Sequence, residues 1–374
     1  MIYGLATSYF HISSKVMQPN KTLLLLFCFA CLFSACDEDR GFNPSSETGM
    51  PDLNRWSIPV DEVENGGPGK DGIPAIDNPN FTPVAQVTDL MEDDLVIVFR
   101  LGNEVRIYPH RILDWHEIVN DIVGETPVAI TYCPLTGTAS AWSRKVDGEV
   151  TTFGVSGLLY GSNLLAYDRN TDSYWSQIRG DCVNGIFLGR IANSYRFIET
   201  TWETARELFS EALVLNRNTG FNRNYNFYPY GGYRTNDNVF SPVRNLDRTL
   251  QIKERVLGIS SDLRTRAYRF EDFEEPRIVK ETFGGKTYLI IGDATKNYLV
   301  AYEISTQNDV TYSLTESALS PAIIMEDSNG NQWDILGRAV AGPKKGEELI
   351  KANSFIGFWF GWAAFYPRIE IFDQ

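Results

Sequence analysis

From about Leu95 onward the chain is a succession of short β-branched and aromatic runs separated by turn formers, and it reads as the same succession met twice. Val96–Arg100, Glu104–Tyr108, Val128–Tyr132 and Thr151–Val155 are runs of this kind, with Gly102-Asn103 a hairpin turn between the first two. A first stretch, 95–202, and a second, 255–362, carry related pieces in the same order. Arg106-Ile-Tyr108 returns as Arg266-Ala-Tyr268, and Pro127–Ile130 as Thr287–Ile290. Ala141–Arg144 returns loosely as Ala301–Ile304, and the segment from Trp175 to Gly185 returns as Trp333 to Gly342. A period near 160 residues is too long for a solenoid. The expected fold is mainly β (α+β). Two pseudo-symmetric β-rich repeats, with a few short helices, pack their apolar faces together in one compact body.

Composition fits this reading. Hydrophobic residues reach 43% and charged residues 22%, which excludes disorder, collagen and coiled coil. Aromatics at 13% favour strands and a large core. The net charge of −14 disfavours nucleic acid as a partner. Two helices are expected, around Arg111–Asn120 and over Glu203–Phe209, the latter capped by Thr200 or Thr201.

The first 35 residues read as an export signal. The apolar run from Thr22 to Ala35 is short for a membrane span and fits a secretory core. Met17 offers an alternative start, giving a compact signal. Phe33-Ser34-Ala35-Cys36 resembles a bacterial lipobox, with Phe33 where Leu is usual. The resemblance implies cleavage before Cys36, with diacylglycerol and palmitate added to it. Asp37, Glu38 and Asp39 resemble the acidic export tag of surface lipoproteins in Bacteroidetes-like bacteria. The expected location is the outer membrane, lipid-anchored, with either leaflet open, the outward-facing one included. Residues 36–53 read as a tether, and 54–374 as the folded domain. The loop Gly66-Gly67-Pro68-Gly69 reads as a tight turn rather than a phosphate cradle, since Asp71 follows Lys70 where Ser or Thr is required.

A residue that serves a site should occur in one stretch only. His116, Glu117, Cys133 and Cys182 all lie in the first, and Cys182 aligns with Ala339. His116 with Cys133 suggests a nucleophile pair. His116 and Glu117, with Asp168 or His110, suggest metal ligands. Against both stands a His116 that packs in the core with its imidazole satisfied. Ser156 in Gly154-x-Ser156-Gly157 hints at a hydrolase elbow, but Leu158 replaces the final Gly. Asp168-Arg169 also fits a structural ion pair or turn. The ring-rich Asn222–Tyr233 segment suits either a sugar or peptide groove or a rigid cover over the core.

Longer strings carry a family resemblance. Tyr108-Pro109 through Trp115-His116-Glu117 to Asp121, then Tyr132-Cys133-Pro134-Leu135, then Phe153–Tyr160 and Tyr167-Asp168-Arg169 to Gln177 resemble the bacterial family called domain of unknown function 3179. Pro229-Tyr230-x-x-Tyr233 and Phe358–Pro367 are similar to it as well. The resemblance runs from about Trp56 to Phe372 and implies no settled activity, cofactor or metal. The family usually has Cys-Pro-Leu-Cys, and here Thr136 takes the second place. That leaves Cys133 and Cys182 either as disulfide partners in an oxidising envelope or as two free buried thiols. Two functional readings stand. One is a cell-envelope lipoprotein that binds or organises an envelope protein, peptide or glycan through an aromatic surface. The other is a metal-dependent or thiol-based enzyme centred on His116 and Cys133.

Overall fold

The computed structural model describes residues 55–373 except 245, 306–308 and 316–322. The export signal, the tether and Cys36 lie outside the described residues. Among the described residues no helix is long and apolar enough to cross a membrane.

The β-branched runs become strands as expected. Leu95–Leu101 and Glu104–Pro109 form a hairpin turned by Gly102 at φ 60, where a side chain would be strained. The expected Thr151–Val155 strand begins at Phe153 and runs on to Tyr160. The helix expected over Arg111–Asn120 is shorter. α1 spans His110–His116, and Ile118–Val123 is a strand paired with Thr126–Cys133. Glu117 stops the helix at φ 57. Beyond it, β-branched Ile118 and Val119 pair with Thr131 and Ile130, so their apolar faces serve a sheet instead of a helix. α2 spans Trp202–Leu208, with the Thr201 hydroxyl accepting from the Thr204 amide at 3.3 Å.

The two stretches run through their elements in a common order. Each opens with a hairpin, 95–109 and 255–269, followed by a short helical turn. Each continues with a three-stranded meander, 118–143 and 277–304, and then a group of paired strands. Each ends with a strand that returns to the first strand of its hairpin, Phe197–Thr201 and Ser354–Phe358. A helix beginning with Trp follows, α2 and then α3 at Trp359–Phe365. Trp175 pairs with Cys182 and Trp333 with Ala339, the equivalence drawn from sequence. Val96, Val98, Ile107 and Trp202 share one core with Leu289, Ile291, Tyr302 and Trp333, so the two stretches bury apolar area against each other.

Candidate functional site

The polar chemistry gathers at the end of α1. Because Glu117 is left-handed, the side chains on either side of the helix stop leave in different directions. His116 is fully buried, its Nδ1 2.7 Å from the Pro74 carbonyl and its Nε2 2.7 Å from the Tyr225 hydroxyl. A carbonyl only accepts, so Nδ1 carries the proton. Burial, opposed by the Pro74 hydrogen bond, lowers the imidazole pKa to about 4. The ring is therefore neutral at pH 7, and Nε2 accepts from Tyr225. Both nitrogens thus have a hydrogen-bond partner, Nδ1 as donor to Pro74 and Nε2 as acceptor from Tyr225. This arrangement is that of a buried histidine with both ring nitrogens hydrogen-bonded.

A strap of chain, residues 217–240, crosses this end of α1 and is fastened to it side chain by side chain. Tyr225 holds His116, and the Tyr230 hydroxyl donates to Glu117 Oε1 at 2.9 Å. Arg234 Nη2 donates to Asp114 Oδ1 at 2.6 Å, with its guanidinium 4.1 Å from the centre of the Tyr228 ring. The Trp115 indole donates to the Phe227 carbonyl at 3.0 Å. Lys253 clamps the far end, its ammonium donating to the carbonyls of Asn236 at 2.7 Å and Asn238 at 2.6 Å. Turn formers and rings in this segment were legible in sequence. The Asp114–Arg234 link was not, because 120 residues separate the partners.

Burial dominates the titration of the two acids under the strap. It pushes the Asp114 carboxyl up to about 7 against the pull of Arg234, and Glu117 up to about 7 despite the Tyr230 hydrogen bond. Cys133, at the end of the neighbouring strand, is buried within electrostatic reach of Glu117. Burial first and that carboxyl second push its thiol up to about 11. A protonated thiol without an imidazole partner is a poor nucleophile.

Cys133 and Cys182 are free, so of the two cysteine alternatives the structure has the buried thiols and no bridge. Each sulfur has its own acceptor, the Ser162 carbonyl at 3.8 Å and the Asn184 carbonyl at 3.2 Å. Thr136, in the place of a second thiol, joins a closed network. Its hydroxyl lies 2.9 Å from that of Thr138 and accepts from Asn163 Nδ2 at 2.9 Å. Gln177 Oε1 accepts from Asn163 at 2.8 Å and Thr138 at 2.7 Å, and Gln177 Nε2 donates to Thr131 at 3.0 Å. Thr131, Thr136, Thr138, Asn163 and Gln177 are all buried.

Two sequence candidates stand apart from this cluster. Ser156 is buried in a β-bulge, where its hydroxyl donates to the Leu165 carbonyl and accepts from the Leu158 amide at 3.0 Å. The bulge needs Gly157, at φ 78, because a Cβ there would lie 2.6 Å from the Gly69 carbonyl carbon. The Asp168 carboxylate closes a turn, accepting from the Thr171 amide at 2.9 Å and the Trp175 indole at 3.1 Å. Asp327 accepts from the Trp333 indole at 3.0 Å in the same way, so Asp168 is the structural turn. Arg169 pairs with Asp71 and Asp77, tying down the Gly66–Asp77 loop. Among the described residues no three His, Cys, Asp or Glu side chains converge as metal ligands. His110, the other suggested ligand, faces Glu199 at 3.1 Å and lies 4.2 Å from the Tyr132 ring.

No curated protein and no solved structure matches the chain. The family model described as "Protein of unknown function (DUF3179)" matches residues 70–369, which contain α1, the strap, Cys133 and both β-rich stretches. The chain belongs to that family.

Proposed function

We propose that this chain is a cell-envelope lipoprotein, acylated at Cys36 and anchored to the outer membrane, that acts by binding through the strap rather than by catalysis. One observation carries the reading. The strap is held down by five side-chain links, yet it keeps Phe221, Phe227 and Phe240 at 41%, 59% and 48% exposed. Large apolar rings kept exposed on a fixed segment suit recognition of a partner.

The reading is tested in two steps. Palmitate supplied to the host should label the chain and not its Cys36→Ala variant. Absence of label removes the lipoprotein half. A photo-crosslinking phenylalanine at position 227 should form adducts in intact cells, while the same group at exposed Val150 should not. Equal adduct yields at both positions would remove the binding half. The enzyme reading keeps one supporting observation, the Glu117 carboxyl near neutrality beside Cys133.

A further inference from the structure

The strap and the chain that follows it to Arg255 differ in charge from the molecule that carries them. Residues 217–255 hold seven Lys or Arg against three Asp or Glu, a net charge of +4. Without that segment, the chain after Ala35 holds 25 basic and 45 acidic residues, a net charge of −20. Arg223, Arg234, Arg244 and Arg248 in the segment are exposed. Arg234 and Arg244 are ion-paired, to Asp114 and Glu62. Arg223 has no carboxylate partner among the described residues. Its guanidinium lies 5.6 Å from the centre of the Trp115 ring. The same indole donates to the Phe227 carbonyl, and Phe221 packs 5.2 Å from the His116 ring. Tyr228, Tyr230 and Phe240 continue the ring row at spacings of 5.6 and 6.3 Å. Cations and exposed benzyl groups thus share one segment around the end of α1, on a body that is otherwise acidic.

We infer that this segment docks on an anionic lipid surface, with Phe221, Phe227 and Phe240 entering the interface and Arg223 meeting headgroup phosphates. The inference rests on the lipid-anchor reading and adds an orientation to it. Aromatic side chains beside cations are the combination that holds a peripheral protein at a membrane interface, because apolar burial and headgroup attraction act together. Arg217 is ion-paired to Asp89 as well, so Arg223 and Arg248 are the exposed cations of the segment without a carboxylate partner among the described residues, and they favour the strap side together with its exposed rings, while the acidic remainder is repelled by the same bilayer. Arg55 lies nineteen positions after Cys36, a span of at most about 65 Å, so an anchored chain always has lipid within reach of its body. At that effective concentration a weak surface affinity suffices.

The experiment uses the mature chain with Cys36→Ser, so that no acyl group contributes. It is mixed with vesicles of pure phosphatidylcholine, or of phosphatidylcholine with 30 mol% phosphatidylglycerol, and separated by flotation. Association is expected with the phosphatidylglycerol vesicles alone, and 0.5 M salt should weaken it. Phe227→Ala is expected to reduce partitioning about fivefold or more, and Arg223→Glu about tenfold or more. Both side chains are exposed, and near-ultraviolet circular dichroism checks that the variants fold. Four outcomes overturn the inference. They are absence of binding to either vesicle, equal binding to both, partitioning unchanged by both substitutions, and competition by a soluble anionic glycan that abolishes binding to lipid. Palmitate labelling of the unsubstituted chain separates the two readings. Label without flotation leaves the anchor and removes the docking. Flotation without label removes the anchor and leaves the docking.

Discussion

Glu117 gives the sharpest quantitative expectation. Its carboxyl is buried, and burial raises its pKa from 4.5 to about 7. Below about pH 4.5 both folded and unfolded states are protonated and the group is silent. Between about pH 4.5 and 7 the folded state holds the proton that the unfolded state has released, so stability falls as pH rises. Above about pH 7 both states are charged and the full loss is in place. About 2.5 pKa units at about 1.4 kcal/mol each correspond to about 3 kcal/mol. Glu117→Gln keeps an oxygen to accept from Tyr230 and removes the charge. The variant should match the parent within about 0.5 kcal/mol at pH 4.5 and exceed it by about 2–3 kcal/mol at pH 8.5. Urea unfolding followed by circular dichroism at both pH values measures the difference. The nearby Asp114 charge also raises the Glu117 pKa, so Asp114→Asn should move the Glu117 transition to lower pH. A Glu117→Gln increment that is the same at pH 4.5 and 8.5 would refute the reasoning, because it would mean that the native carboxyl titrates as it does in the unfolded chain.

Other consequences follow from the same geometry. Burial lowers the His116 imidazole to about 4, so it should not titrate by nuclear magnetic resonance between pH 6 and 8; a midpoint near 6.5 contradicts its two hydrogen bonds. Gln177→Leu strands the polar atoms of Thr131, Thr138 and Asn163 and should cost about 2–4 kcal/mol in urea unfolding, whereas a loss under about 0.5 kcal/mol would mean that water replaces the amide. In the mature chain from residue 36 with Cys36→Ser, a thiol reagent should find almost no reactive sulfur in the native state and two in urea, while a count of zero in urea would show a Cys133–Cys182 bridge.

The sequence was most informative where local preference and tertiary need coincide. Val96–Arg100 and Val128–Tyr132 have one natural conformation, so the strands and the Gly102 turn could be read directly. The β-rich class was equally legible, because short β-branched and aromatic runs between turn formers recur along the whole chain. The end of α1 is ambiguous in sequence for a definite reason. Ile118 and Val119 continue an apolar pattern that suits a helix or a strand, and only pairing with Thr131 and Ile130 decides between them. That decision also fixes the site, since the left-handed turn at Glu117 parts it from His116.

Sequence alone determined a β-rich body, its family membership, and the concentration of polar residues in the earlier stretch, because composition and motif strings survive without coordinates. Tertiary structure decided what those residues do. It gave both His116 nitrogens to Pro74 and Tyr225, placed Cys133 beside a carboxyl instead of an imidazole, and set Arg234 on Asp114 across 120 residues of chain. Hydrogen-bond partners and burial are properties of space, and a linear spacing of residue types does not encode which side chain will fill a given lone pair.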